Sequence, residues 1–278
     1  MNLDLQKCRE KIRNFSNRWQ LKRKYKGYVI DEENFKNVEE NKKLFFNREY
    51  KILKEIKGEP FTEQKFEKLI KVWERALERE TKPFTDTNFH IIFAPLPDFN
   101  AMCTNKCSEG LLKDEHLIII NEALVFGLPP LSISLILLDL VNSEPGFVEY
   151  CENKGIPIKD LPFWYFKLAL NHLIYPKENI IYYGVFKGIN KDWDDFITNR
   201  AAHITSKMLH FIIWHECGHI INKDHDIYNF YERLIGNDKD NVNIKLDDIK
   251  SKHKKEYRAD LYALQTYLQS VEGDMKAN

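Results

Sequence analysis

Residues 209–225 read LHFIIWHECGHIINKDH, and this stretch decides how the rest of the chain is interpreted. Its apolar residues lie all around a helical turn, which predicts a largely buried helix. Two histidines, His215 and His219, stand four positions apart within it. Residues at that spacing share one helix face, so both imidazole rings can point at the same place. Glu216 is rotated by about 100° from His215 and can flank that place.

The HExxH pattern formed by these residues predicts a metal site. Two histidines and a glutamate inside an apolar helix are costly to bury unless they have partners, and a zinc ion is a partner that imidazole nitrogens bind well. We therefore expect His215 and His219 to be ligands of a single catalytic Zn²⁺ ion. Glu216 is then the expected general base, placed to take a proton from a water that zinc activates.

A catalytic zinc ion usually has three protein ligands, so a third must lie elsewhere in the chain. Glu256 is the favoured candidate, 37 residues after His219 in a predicted helix, KKEYRADLYA (254–263). Asp260 follows one helical turn later, where it can accept a hydrogen bond from the second ring nitrogen of a ligand histidine. The small side chains of Ala259 and Ala263 would let two helices approach closely.

His225 is the alternative third ligand, because it extends the motif to HExxHxxNxxH. In metalloproteases with the related three-histidine motif, a glycine stands where this chain has Asn222, since the backbone must turn sharply there. Asparagine is the next best residue for such a turn. Both candidates remain open from the sequence.

The periodicity along the chain predicts an α+β fold that is mostly helical and contains a small sheet. No internal repeat is found, and the apolar spacing changes from helical to alternating and back. Helices are predicted over 61–80, 131–141, 161–175, 192–200, 202–222 and 251–269, and strands over 88–94, 98–103, 116–120 and 180–186. The aromatic run at 163–166 is expected to lie in the core rather than to line a substrate groove. Residues 1–60 are predicted to form a helical N-terminal extension, and residues 61–278 the main domain.

Composition excludes several classes of protein. The 42 basic and 42 acidic residues balance, which disfavours bulk attraction to nucleic acid or to an anionic membrane. Five cysteines are an odd number and suit free thiols in a reducing compartment. We expect no signal peptide, and residues 117–141 are interrupted by polar residues and prolines, which predicts no membrane span. The expected location is the cytoplasm.

The motif HECGHIINKDH followed by EYRADLYAL resembles the zinc metallopeptidases known as minigluzincins. It is similar to the catalytic domains of the HtpX and CAAX-prenyl protease family, and to the soluble Lit-type phage-exclusion peptidases. An upstream similarity supports this: Asp98-Phe99-Asn100-Ala101-Met102, followed by 117–124, resembles the edge strand, next strand and following helix of that family. The membrane helices of the HtpX branch have no counterpart here, so a membrane-embedded substrate is not expected.

The resemblance implies a zincin-like fold and a soluble endopeptidase that hydrolyses peptide bonds of a protein or peptide substrate. His215, His219 and Glu256 would hold zinc, Glu216 would act as general base and acid, and Asp260 would support a ligand histidine. Asn100 and Ala101 would lie on the edge strand that pairs with substrate. Candidates for a residue that stabilises the transition state are Tyr257, Arg258, Tyr262 and His210.

A different function is also considered for this chain. The segment 18–28, RWQLKRKYKGY, alternates basic and aromatic residues, which can bind a phosphate backbone and stack on bases. The alternative hypothesis is a regulator that keeps the zinc fold without catalysis and uses this segment on nucleic acid. The sequence disfavours it, because a site without catalysis has no need of Glu216.

Overall fold

A computed structural model describes residues 63–94, 100–104, 115–174, 191–223 and 246–277, together with Lys7 and Glu10. The predicted strand 180–186 and the segments 18–28 and 224–245 lie outside the described residues. So does most of the predicted N-terminal extension, in which Lys7 and Glu10 are helical and exposed.

The described chain is mostly helical with one small sheet, as the sequence predicted. A short 3-10 turn, Lys82–Phe84, follows the first helix. The helices are α1 (Glu63–Thr81), α2 (Glu122–Ser143), α3 (Pro145–Asn153), α4 (Leu161–Ile174), α5 (Lys191–Ile221) and α6 (Leu246–Ala277), and the strands are β1 (Phe89–Ala94), β2 (Ala101–Thr104) and β3 (His116–Asn121).

The sheet has the strand order β1-β3-β2, with β1 parallel and β2 antiparallel to the central strand. All four residues 117–120 of β3 are buried, as expected for a strand covered on both faces. One face packs against the second half of α5, where Ile213, Cys217 and Ile220 join the same apolar cluster as Phe89 and Ile118. The sheet thus lies directly behind the helix that carries the HExxH motif.

The outer edge of β1 is covered by α1. The carboxylate of the fully buried Glu74 accepts a hydrogen bond of 2.7 Å from the backbone N–H of Phe93, and that of Glu78 accepts one of 2.6 Å from Ile91. Because the two glutamates are one helical turn apart, their carboxylates reach alternate residues of the strand. The outward N–H groups of the edge strand β1 therefore bond to side chains of a helix, where a neighbouring strand would otherwise supply the acceptors.

A second apolar cluster holds the first half of α5. It contains Leu137 of α2, Phe147 of α3, Tyr165 of α4 and Ile197 of α5. The two halves of α5 therefore pack in different surroundings, the first half among helices and the second half against the sheet.

Three sequence predictions about these helices were wrong. The helix predicted at 131–141 begins at Glu122 and continues through Pro129 and Pro130, because packing along α4 outweighs the loss of two N–H donors. The predicted helices 192–200 and 202–222 are one continuous helix. In the run 163–166 only Tyr165 is buried, while the other three aromatic side chains are exposed.

That residues 117–141 contain no membrane span stays a prediction, although most of this region lies in the long apolar helix α2. Helix α2 is long and apolar enough to cross one by length and composition, and is the one such helix in the described part of the chain. However, 61% of its most apolar window is buried inside the protein. Core helices pass the same test, and α2 contributes to both apolar clusters.

We expect Glu74→Leu to destabilise the protein by about 1–3 kcal/mol, because it leaves the buried N–H of Phe93 without its acceptor. Glu74→Gln is the matched control, since its amide oxygen can still accept that bond. The measurement is the free energy of unfolding in urea for both variants. Equal stability of the leucine variant and the native protein would contradict this account of the β1 edge.

Candidate metal centre

His215 and His219 lie one turn apart on α5, and their Nε2 atoms are 3.1 Å apart. An oxygen of Glu256, supplied by α6, lies 3.2 Å from Nε2 of His215 and 3.4 Å from Nε2 of His219. These three residues are the one group in the described part of the chain whose ligand atoms converge closely enough to hold a metal ion, all within 4.8 Å of one another.

Asp260 lies behind the histidine pair, one turn after Glu256. Its carboxylate is 2.9 Å from Nδ1 of His215 and accepts the hydrogen bond of that ring nitrogen. With its proton on Nδ1, His215 presents a lone pair at Nε2. That lone pair faces the carboxylate oxygen of Glu256, so two electron-rich atoms point at each other.

The donor set fits a divalent cation such as zinc. Zinc bonds of about 2.0–2.1 Å in tetrahedral geometry separate two ligand atoms by roughly 3.3 Å. The three observed separations of 3.1, 3.2 and 3.4 Å match this value. His219 is buried and His215 nearly so, whereas Glu256 is about half exposed, so the centre is reachable from the α6 side.

Glu216 is buried, and its carboxyl interacts with His215 and Glu256 of this centre and with Cys103 of strand β2. Burial raises the pKa of its carboxyl to about 7, helped by the charge of Glu256 and opposed by His215 and by hydrogen bonds from Cys103. Both the backbone N–H and the thiol of Cys103 donate to this carboxyl. These two hydrogen bonds therefore hold the side chain of Glu216 against strand β2.

Strand β2 presents its outward edge toward Glu216. Across the sheet, the N–H of Asn121 bonds to the carbonyl of Asn100, 3.0 Å away. Ladder bonds alternate along an antiparallel pair, so the N–H and C=O groups of Ala101 and Cys103 point away from β3. The bond from Cys103 to Glu216 agrees with this direction, and no described strand pairs with this edge of β2.

Close contact between α5 and α6 brings Glu256 to the histidines. A Cβ atom added to Gly218 would lie 2.8 Å from the Cα of Ala259 and 3.1 Å from its carbonyl oxygen. Ala259 and Ala263 are both fully buried at this contact, as their small size suggested. The two helices therefore meet backbone to backbone within one turn of all three candidate ligands.

The loop that contains Thr85 and Thr87, after α1, contacts both α5 and α6. The thiol of Cys217 on α5 is hydrogen-bonded to the side chains of Thr87 and Thr85, although burial raises its pKa to about 12. The hydroxyl of Tyr262 on α6 donates to Thr85 at 2.9 Å. Cys217 is buried, as its sequence context suggested.

The remaining candidates have different surroundings. Tyr262 is engaged by Thr85, and His210 lies 2.9 Å from the carboxylate of Glu80, so both hold helices together. Tyr257 is exposed beside Glu256. His225 lies outside the described residues, and the positive φ of 56° after α5 falls on Lys223 rather than on Asn222. Asn222 instead caps the helix, donating from its side chain to the carbonyl of Gly218 at 2.7 Å.

Sequence reasoning missed two contacts of the centre. Cys103 was predicted to lie at the end of a strand, but its double hydrogen bond to Glu216 was not foreseen. The alternation of a strand offered a signal, because Cys103 stands two positions after Ala101 and so shares its edge. The bracing by Thr85 and Thr87 had no comparable signal, since these residues are distant in sequence from both helices.

Comparison of the chain with protein-family models, with curated proteins and with solved structures found no match.

We expect Gly218→Ala to destabilise the protein by about 1–3 kcal/mol, because backbone atoms of α6 must move to admit the new methyl group. Elsewhere in a helix this change stabilises by roughly 0.5–1 kcal/mol, so the sign itself is informative. Gly146→Ala is the matched control, since its added Cβ would meet nothing within 4 Å. Thermal unfolding of both variants is the measurement, and a stabilised Gly218→Ala protein would contradict the close helix contact.

Proposed function

We propose that this protein is a zinc-dependent endopeptidase of the zincin-like type that hydrolyses peptide bonds in a protein or peptide substrate. The observation that carries the proposal is the convergence of His215, His219 and Glu256 from two helices, with the carboxyl of Glu216 between them and the outward edge of β2. A metal centre, a base and a strand edge are the three parts that such hydrolysis requires.

The proposed ligands are the two Nε2 atoms and the carboxylate of Glu256. A zinc ion held by them would polarise the scissile carbonyl and lower the pKa of water at the site. Asp260 keeps the proton of His215 on Nδ1, so that Nε2 is available as a ligand, and this fixes the orientation of the ring.

The proposed role of Glu216 is to carry a proton. Its carboxylate takes a proton from the attacking water as the new C–O bond forms, and delivers it to the amide nitrogen as the C–N bond breaks. The two hydrogen bonds from Cys103 orient the carboxyl for this transfer. Burial excludes bulk water from it, which favours transfer between groups held at short range.

The edge of β2 is the proposed place where substrate binds. An extended peptide can add to a strand edge through its backbone, and Ala101 offers both an N–H and a C=O in that direction. Asn100, predicted to belong to this edge, precedes it and is exposed, but its backbone carbonyl bonds to Asn121 of β3 and so faces the other way. A peptide paired there would pass the carboxyl of Glu216, which bonds to the same edge at Cys103.

The proposed location is a reducing compartment such as the cytoplasm. The described cysteines, Cys103, Cys151 and Cys217, are all buried free thiols. Disulfides are rare in such compartments.

We expect the purified protein to hold one zinc ion per chain and Glu256→Gln to weaken zinc binding strongly. Asp260→Asn should weaken it by about 10–100-fold, because it acts through His215. His225→Ala should leave zinc content unchanged. The measurement is metal analysis with chelator competition, and Glu152→Gln, exposed and paired with Lys159, is the control. Loss of zinc in the His225 variant but not in the Glu256 variant would overturn the ligand assignment.

We expect Glu216→Gln to keep its zinc and to lose about 10²–10⁴-fold in the rate of peptide hydrolysis, because the amide cannot accept the proton of water. The assay is cleavage of unfolded casein followed by mass spectrometry, with the exposed Glu149→Gln as control. Full activity of the Glu216 variant with zinc present would exclude this residue as the base.

A further inference from the structure

Helix α6 has a second apolar face, directed away from α5. Its large side chains recur at intervals of four, three and four residues and are substantially exposed: Tyr257 68%, Leu261 43%, Leu264 47% and Leu268 53%. In the sequence the same spacing continues to Val271 and Met275. We call this row, 257 to 275, the outer seam of α6.

The outer seam lies opposite the face by which α6 is attached. The attached face carries the small buried residues Ala259, Ala263, Thr266 and Ser270, which have the same heptad spacing. Two residues of offset correspond to about 200° on a helix, so the two rows face in opposite directions. An exposed row of this kind at heptad spacing is the pattern of a coiled-coil surface.

The N-terminus of the same chain carries a matching row. Leu5, Cys8, Ile12, Phe15 and Trp19 follow one another at intervals of three, four, three and four residues. Lys7 and Glu10 are helical and exposed, and in this heptad both fall on the side away from the apolar row. The row would extend about 21 Å along a helix, within the roughly 27 Å of the outer seam.

The charges beside the two rows are complementary. Flanking positions of the N-terminal row hold three basic residues and one acidic residue: Arg9, Lys11, Arg18 and Asp4. Flanking positions of the outer seam hold Arg258, Glu272 and Asp274, and also Asp260, whose carboxylate is bonded to His215. A second copy of α6 would instead bring acidic flanks against acidic flanks, which disfavours self-association through this face.

The chain between the two partners is long enough for them to meet. Forty-three residues separate Trp19 from Glu63, where α1 begins. A connection of that length can reach on the order of 100 Å when extended, more than any distance across a domain of this size. We propose that residues 3–19 form a helix that docks on the outer seam of α6 as a two-stranded coiled coil.

Docking there would place the N-terminal segment along the rim of the candidate metal centre. Tyr257 and Leu261 belong to the outer seam, and each directly follows a residue of the centre, Glu256 or Asp260. The docked segment would stiffen α6 where it holds these carboxylates. This inference concerns packing alone and stands whether or not the centre binds zinc.

Hydrogen exchange of the full chain tests the proposal. In the native protein, amides of residues 3–19 should be protected. Leu264→Glu with Leu268→Glu should speed their exchange at least about tenfold, because two charges cannot be buried in the interface. Exchange within α5 should not change, which shows that the fold is intact. Gln269→Glu, exposed on the same helix but off the seam, is the matched control.

A reciprocal variant keeps the test valid if the α6 variant does not fold. Ile12→Glu with Phe15→Glu should produce the same loss of protection in residues 3–19, and Gln6→Glu should not. Sedimentation of each protein should give a monomer. Equal exchange of residues 3–19 in the native protein and both double variants would overturn the proposal. So would a native dimer that the α6 variant converts to monomer without any change in residues 3–19, since the seam would then bind a second copy.

Discussion

The candidate centre depends on the close approach of two helices that are distant in sequence. Gly218 stands between the two histidines of the motif, and the backbone of α6 at Ala259 occupies the space that a side chain there would need. Only at this separation can the carboxylate of Glu256 come within 3.4 Å of both imidazoles. A glycine on one helix and an alanine on the other thus set the distance between the candidate ligands.

The two outer edges of the sheet differ in what covers them. The outer edge of β1 is closed by the buried carboxylates of α1, so it cannot pair with another chain. The outer edge of β2 is turned toward the candidate metal centre, and on that side the backbone N–H and the thiol of Cys103 bond to Glu216. The same three strands therefore provide a protected edge away from the centre and an available one beside it. Among the described strands, the outer edge of β2 is therefore the one left available for the proposed substrate strand.

Much of this arrangement was predictable from local pattern. The HExxH spacing puts both histidines on one face of any helix, and the helix predicted around Glu256 does place Asp260 one turn away. The long helices were harder to delimit. Pro129 and Pro130 suggested that the helix begins after them. Helix α2 nevertheless continues through both prolines, because its burial against α4 stabilises it. The exposure of the aromatic residues beside Tyr165 also could not be predicted from periodicity. The neighbouring elements decide which face of a helix is covered.

The sequence by itself determined the pair of imidazoles, the neighbouring glutamate and the α+β class, because each follows from contacts among residues a few positions apart. Only the tertiary structure decided that Glu256 meets the histidines and that Asp260 bonds to His215. It alone decided that the edge of β2 faces Glu216 and that Thr85 and Thr87 brace the helices. These contacts join segments separated by tens of residues to more than a hundred, and no local periodicity encodes the packing that brings such segments together.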